Sequence, residues 1–261
     1  MENLCAVILA AGKGTRMRSN RAKVLHNLCG TPMLRLVYSA VAALEPEQVF
    51  VVIGQDAERV CGSLEGFPAY FVHQKEQLGL GHAVLMAKEL VGDEPFAVLL
   101  SDDVIVNPGG KPVTGQLIET YQAHRGSVIA LQRVDRSDVS RYGVVAPRHE
   151  EGPLVEIGDL VEKPAVDDAP SDLAVLGRYV LSPKIFDVLE TTPRGAGGEI
   201  QLTDAIRELS HEQPVFGYQF SGVRHDAGTR IGWLQANIAM ALESDDADEV
   251  RAFVRGLDLR D

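Results

Sequence analysis

Continuous apolar runs rich in Val, Ile and Leu recur along this chain at residues 5–9, 49–53, 96–100, 128–131 and 173–181. They do not alternate with polar positions, so they predict strands covered on both faces. Between several of them lie helical patterns at 33–44, 82–90, 114–124 and 183–189. The β-α-β alternation predicts an α/β protein with a mostly parallel central sheet flanked by helices. Right-handed crossovers place helices on both faces, and ligands of such sheets sit beyond the carboxyl ends of the strands. The residues that directly follow each strand are therefore the ones to interrogate.

From about 133 to 170 the chain is richer in Gly, Pro and charge, with short strand-like pieces such as 142–146. This stretch predicts a small sheet-and-loop lobe over the site. Beyond Gln201 the pattern gives a helix, a strand at 215–220, and helices at 230–243 and 248–255, with Ser244-Asp245-Asp246 as break and N-cap. The chain reads as one domain over 1–261. Its first half covers about 1–130, its second about 131–228, and a helical segment about 229–261.

Several post-strand segments carry groups suited to chemistry. Leu9-Ala10-Ala11-Gly12-Lys13-Gly14-Thr15-Arg16 joins the first apolar run to a glycine-rich cationic loop, with Lys23 close behind. No carboxylate occurs between Glu2 and Glu45, whereas Lys13, Arg16, Arg18, Arg21, Lys23 and Arg35 all fall there. Glycine admits a ligand close to backbone N–H groups, and clustered cations favour an anion, with phosphate the natural candidate. A dinucleotide fingerprint would need a third glycine where Met17 stands, and no G-K-[ST] appears at P-loop spacing.

Gln74 precedes Gly79-Leu80-Gly81-His82-Ala83 at the start of a helix. Such a loop can meet a flat base edge-on while the amide donates to and accepts from it. A loop with a helix cap explains the same residues equally well. Asp102 ends the buried run 96–100, and Asp226 lies between a strand region and a helix. Two separated carboxylates can hold Mg²⁺ only if water and phosphate oxygens complete its octahedron; helix caps or turn acids are the plainer alternative. Finally, Glu162-Lys163-Pro164 and 195–204 supply Glu162 and Glu199 for sugar hydroxyls and Lys163 for a sugar phosphate. A solvated ion pair and a helix N-terminal acid would be the alternatives.

Composition bounds these readings. At 261 residues, 45% hydrophobic and 24% charged, the chain suits a soluble globular fold with a substantial core. A formal net charge of -12 argues against nucleic acid as a partner. Cys5, Cys29 and Cys61 lack C-x-x-C spacing, so neither a disulfide framework nor a zinc site is expected. The start lacks a basic region, and the apolar run 4–11 is too short for a signal segment or a membrane span. A cytoplasmic protein with no membrane partner is expected. Apolar positions in the C-terminal helices predict a homo-oligomer.

Taken together, these segments resemble the sugar-1-phosphate nucleotidylyltransferase superfamily over nearly the whole chain. Leu9 to Arg16 with Lys23-Val24-Leu25-His26 is similar to N-acetylglucosamine-1-phosphate uridylyltransferases. The stretches 78–84, 160–164, 177–183 and 197–204, with Asp226-Ala227-Gly228, are longer and more specific, and they resemble UTP-glucose-1-phosphate uridylyltransferases. The resemblance implies a Rossmann-like sheet whose second half binds sugar. It also implies Mg²⁺ as cofactor and transfer between UTP and glucose 1-phosphate. Ala10, Ala11, Gly12, Gly14, Gln74 and Gly79 would surround the nucleotide, with Arg16 and Lys23 on the triphosphate. Asp102 and Asp226 would hold Mg²⁺. Lys163 would take the sugar phosphate, with Gly143, Glu162, Gly177 and Glu199 around the hexose.

Against that pattern, Ala22 stands where proline commonly precedes the lysine, the loop before Lys23 is shorter than in glucose-type enzymes, and no hexapeptide repeats follow. Three alternatives stay open: N-acetylglucosamine 1-phosphate as acceptor, dTTP as donor, or a nucleotide-sugar-binding regulator without catalysis. A nicotinamide-dependent oxidoreductase is disfavoured by the missing third glycine.

Overall fold

The computed structural model describes residues 4–12, 14–107 and 109–257; Lys13, part of the cationic loop, lies outside them. The strands are β1 (Cys5–Leu9), β2 (Asn27–Leu28), β3 (Thr31–Pro32), β4 (Gln48–Ile53), β5 (Tyr70–His73), β6 (Phe96–Leu100), β7 (Asp103–Val106), β8 (Ser127–Arg133), β9 (Gly143–Glu151), β10 (Leu154–Glu162), β11 (Leu173–Leu181), β12 (Val215–Gln219) and β13 (Val223–Asp226). The helices are α1 (Met33–Ala42), α2 (Ala57–Ser63), α3 (Leu80–Leu85), α4 (Lys88–Val91), α5 (Val113–His124), α6 (Lys184–Thr191), α7 (Leu202–Glu212), α8 (Arg230–Ala241) and α9 (Ala247–Arg255).

Nine strands form one sheet in the order β5-β4-β1-β6-β11-β8-β12-β10-β9. The expected α/β class and flanking helices are present. β1 pairs parallel with β4 and β6, and β12 pairs parallel with β8. β11 runs antiparallel to both β6 and β8, and β10 antiparallel to both β12 and β9. The sheet is therefore mixed where the pattern predicted a mostly parallel one, with four of its eight neighbouring pairs antiparallel; of these, β9 and β10 form a tight hairpin, since a parallel return would need a crossover, usually a helix. The region expected as a small lobe thus adds its strands to the edge of the main sheet.

The apolar runs are unbroken because both faces are covered. On β1, Cys5, Val7 and Leu9 join one core cluster while Ala6 and Ile8 join another, as a side-chain period of two requires. The first cluster includes α3, α6 and α7, where Phe96 stacks on Phe186 with ring centroids 4.9 Å apart. The second is closed by α1.

The sequence pattern missed β5 and α2. β5 is a four-residue edge strand whose Tyr70 and Phe71 are exposed, and α2 buries only Val60; neither leaves a strong apolar period. The single helix expected over 82–90 is two short ones, with the 3₁₀-like break at Met86 and Ala87. Asp246 does hold the N-cap position of α9 but makes no side-chain cap. Ser244 closes that turn instead, its Oγ accepting from the Asp246 N–H.

Candidate active site

The first loop leaves β1 at Leu9 and carries Ala11, Gly12, Gly14 and Arg16 over the sheet's carboxyl edge. Gly14 has φ +62°, and a Cβ there would lie 2.6 Å from the Lys23 Cβ. Only glycine lets the loop close against the segment that bears Lys23. Gln77 Nε2 donates to the Ala11 carbonyl at 2.7 Å and pins the loop from the other side.

The second loop is docked as tightly. Gly79 has φ +112°, and a Cβ there would lie 2.7 Å from both the Glu199 Cβ and the Ile200 carbonyl oxygen. The Ile200 N–H donates to Leu78 at 2.7 Å, and the Gly81 N–H donates back to Ile200 at 2.8 Å. Glu199, from the second half of the chain, is thereby fixed against the first half.

These loops bound two adjoining cavities. One, about 470 Å³, is lined by Ala11, Gly12, Gly14, Lys23, Gln74 and Gly79 among others. The other, about 500 Å³, is lined by Gly143, Glu162, Lys163, Gly177 and Asp226 among others. Arg16, Asp102 and Glu199 belong to both. The residues expected for nucleotide and for sugar thus fall on two sides of one cleft, with Asp102 at the join. Ala10 is the exception: it is buried and lines a neighbouring pocket of about 270 Å³ that shares Ala11, Gly12 and Gln77.

Gln74 is buried, and its Nε2 donates to the Gly79 carbonyl at 3.2 Å and to His82 Nδ1 at 3.0 Å. An acceptor Nδ1 requires a neutral imidazole, and burial holds the His82 pKa below its ordinary value. With both N–H groups engaged, the Gln74 carbonyl oxygen is the face left for a ligand donor. This differs from the sequence expectation of an amide that both donates and accepts.

Three of the cleft's cations are paired with its carboxylates. Lys23 Nζ pairs with Asp102 Oδ2, Lys163 Nζ with Glu162 Oε1 at 2.7 Å, and Arg141 with Asp226 at 3.1 Å. Burial pushes the Asp102 carboxyl up, but the Lys23 charge and hydrogen bond, aided by Arg16, outweigh it and leave the pKa lowered. Lys163 sits at φ +47°, its N–H bonded to the Tyr142 carbonyl at 2.9 Å. A non-glycine residue in this left-handed region is uncommon, and the conformation fixes where the lysine leaves β10.

Beneath the join lies a polar layer that sequence reading missed. Asp103 pairs with Arg224 at 2.6 Å and accepts the Gly177 N–H at 2.8 Å. Arg178 is buried and donates to the carbonyls of Leu100, Gly177 and Asp103; burial lowers its pKa to about 10, against the pull of Asp103. A charged residue inside the nine-residue apolar run 173–181 was the available signal for Arg178. Gln77, Arg141 and Arg224 carried no comparable local mark.

Gly228 shows where the metal candidates meet. A Cβ on it would lie 2.8 Å from Asp102 Oδ2, 3.1 Å from Asp226 Oδ1 and 3.5 Å from an Arg16 guanidinium nitrogen. Two carboxylates and a cation therefore border one small space. Among the described residues no group of three or more His, Cys, Asp and Glu is placed to hold a metal by itself.

The chain is similar to known proteins along nearly its whole length. The UTP-glucose-1-phosphate uridylyltransferase of Staphylococcus epidermidis is 37% identical over 284 aligned residues, covering 97% of this chain and 98% of that protein. Its Staphylococcus haemolyticus counterpart is 43% identical over 216 residues, 82% of this chain and 74% of that protein. A UDP-glucose pyrophosphorylase crystallised with UDP-glucose superposes with a TM-score of 0.87 at 33% identity, covering 93% of this chain and 100% of the other. A UTP-bound enzyme of the same type from Acinetobacter baumannii gives a TM-score of 0.84 at 30% identity, with 98% and 99% covered. The sequence profile described as nucleotidyl transferase matches residues 5–242, and with it the chain belongs to the nucleotidyl transferase family.

Proposed function

We propose that this chain is a UTP-glucose-1-phosphate uridylyltransferase, converting UTP and glucose 1-phosphate to UDP-glucose and pyrophosphate. The observation that carries the reading is the two-sided cleft joined at Asp102, with a glycine-rich cationic loop on one side and a Glu162–Lys163 pair on the other. An oxygen of the sugar phosphate attacks the α-phosphorus of UTP in line. The bond from that phosphorus to the oxygen bridging to the β-phosphate breaks, and pyrophosphate leaves with the electron pair. Since a phosphate monoester loses its second proton with a pKa of about 6, the nucleophile is already ionised at neutral pH and needs no base from the protein.

The protein's task is to hold two anions together and to offset charge on the α-phosphate and leaving group. Ala11, Gly12, Gly14 and Gly79 line the nucleotide side, Ala10 supports the loop from beneath, and the free Gln74 carbonyl oxygen suits the N–H of a uracil. Arg16 and Lys23 take the triphosphate, and Lys163 takes the sugar phosphate. Glu162, Glu199, Gly143 and Gly177 border the hexose. Each phosphate-binding lysine must exchange its carboxylate partner for a substrate oxygen, so binding is a swap between ion pairs.

The all-oxygen donor set beside Gly228 fits Mg²⁺, which takes a few carboxylates and completes its shell with phosphate and water. Asp102 and Asp226 would hold it, and its charge would help neutralise the phosphates. No helix among the described residues is long and apolar enough to cross a membrane, and we assign the reaction to the cytoplasm. Ile231, Leu234, Ile238 and Phe253 on α8 and α9 are exposed, which suits a contact with a second copy of the chain.

The test is pyrophosphate release with Mg²⁺ across UTP, dTTP, ATP, CTP and GTP against glucose, N-acetylglucosamine and galactose 1-phosphates. Release dominated by UTP with glucose 1-phosphate is expected. Dominance of N-acetylglucosamine 1-phosphate or of dTTP would reassign the substrate, and no release with any pair would favour a binding regulator.

A further inference from the structure

A cavity of about 790 Å³ shares no lining residue with the two halves of the cleft, and meets the neighbouring 270 Å³ pocket beside Ala10 at Ser19, Asn20 and Arg21. Arg21, Arg35 and Arg59 all line it, together with Asn20, Asn27 and Ser19, and none of its lining residues is a carboxylate. In a chain of net charge -12, three guanidiniums around one space are the reverse of the average surface.

Their pairing is incomplete. Arg35 donates its Nε to the Ser63 carbonyl and lies over the Phe67 ring at 5.3 Å. Those contacts hold the guanidinium in place without neutralising it, and its terminal nitrogens have no hydrogen-bond partner among the described residues. Arg59 reaches a carboxylate only at Asp56, 3.9 Å away, and the same Asp56 oxygen accepts the Ala22 N–H at 3.2 Å. Arg21 makes no side-chain ion pair among the described residues. Like charges held together are costly unless an anion joins them, and guanidinium forks match phosphate oxygens in pairs.

We propose that this cavity is a second anion site, separate from the substrate cleft, which takes a small molecule bearing two or more phosphate groups. Three cations with amide and hydroxyl donors suit several phosphate oxygens and the hydroxyls between them. No aromatic ring lines the space to stack a base, and the overall acidity repels nucleic acid. Arg21 lies two residues before Lys23, which pairs with Asp102 in the cleft. The site therefore abuts the segment that carries a substrate-binding cation.

Calorimetric titration with inorganic tripolyphosphate tests this, using protein already saturated with UDP-glucose, and is repeated in Lys23→Ala because UDP-glucose leaves the cleft's subsite for the departing pyrophosphate open. Binding of UDP-glucose alone is measured first, which separates failure of the substrate assignment from failure of this site. The expected result is a tripolyphosphate site retained in Lys23→Ala, weakened by about tenfold or more in Arg59→Glu and lost in Arg35→Ala/Arg59→Ala, with UDP-glucose affinity and turnover unchanged in the arginine variants. Arg35→Ala also removes packing on Phe67, so Arg59→Glu, on a side chain 66% exposed, decides the question if the double variant does not fold. No further site in the native protein, or equal affinity in Arg59→Glu, would overturn the proposal.

Discussion

Lys23 and Asp102, 79 residues apart in sequence, form an ion pair at the join of the two cavities. The pair links the glycine-rich loop after β1 to the acid after β6, and β1 and β6 are neighbouring parallel strands. It also holds in register the cation proposed for the triphosphate and the carboxylate proposed for Mg²⁺.

Asp102→Asn keeps the shape of the side chain while removing its charge. Turnover should drop by about 100-fold or more, and the Mg²⁺ concentration for half-maximal rate should rise, while the thermal midpoint moves by only a few degrees. Steady-state rates across a Mg²⁺ series, beside a melting curve, check both halves. Normal turnover at limiting Mg²⁺ would remove Asp102 from the metal site.

Lys163→Ala should separate the substrates. Its ammonium stands on the side of the cleft proposed for the sugar, paired with Glu162, so KM for glucose 1-phosphate is expected to rise by about tenfold or more, the worth of a charge-assisted hydrogen bond. KM for UTP should change little. Equal effects on both would mean that Lys163 does not discriminate the two anions.

Gly228→Ala asks whether the space between the two aspartates is used. The added methyl would stand 2.8 Å from Asp102 Oδ2 and 3.1 Å from Asp226 Oδ1, displacing whatever shares them. Activity should collapse while UDP-glucose, assayed without metal, still binds.

Gly79→Ala acts on the clasp between the halves. The φ of +112° and the 2.7 Å approach to Glu199 Cβ make any side chain costly, by about 1–3 kcal/mol for the backbone alone. A lower denaturation midpoint, with weaker binding of both substrates, is the expected outcome. Gly62→Ala, where a Cβ meets nothing within 4 Å, serves as the neutral control.

Stability should fall as the solution is acidified below neutrality. Burial holds His26, His82 and His225 below their ordinary pKa, and the buried His26 Nε2 has no hydrogen-bond partner among the described residues. The unfolded chain takes up protons as pH drops through about 6.5, where the folded chain does not, so each histidine favours unfolding there and is silent above. Urea midpoints at pH 8 and pH 5.5 read the loss, which His26→Gln should reduce. Protonated His82 could no longer accept from Gln74, so UTP affinity should decline only at lower pH, where the depressed His82 of the folded protein titrates.

The order of strands and helices was legible because apolar runs and helical periods are local properties. Cys5–Leu9, Phe96–Leu100 and Leu173–Leu181 stand where the pattern placed them. So were the loops after β1 and before α3, since glycine marks backbone that no other residue can follow. The direction of β11, the merging of the β9–β10 hairpin into the main sheet, and the pairing of Lys23 with Asp102 depended on which strands became neighbours. The same holds for Gln77 under Ala11 and Arg224 against Asp103, whose partners lie 66 and 121 residues away. Local sequence determines which backbone shapes are possible and which faces must be buried. Which charges meet is decided only when distant segments pack, because an ion pair's energy depends on a separation that the chain acquires in three dimensions.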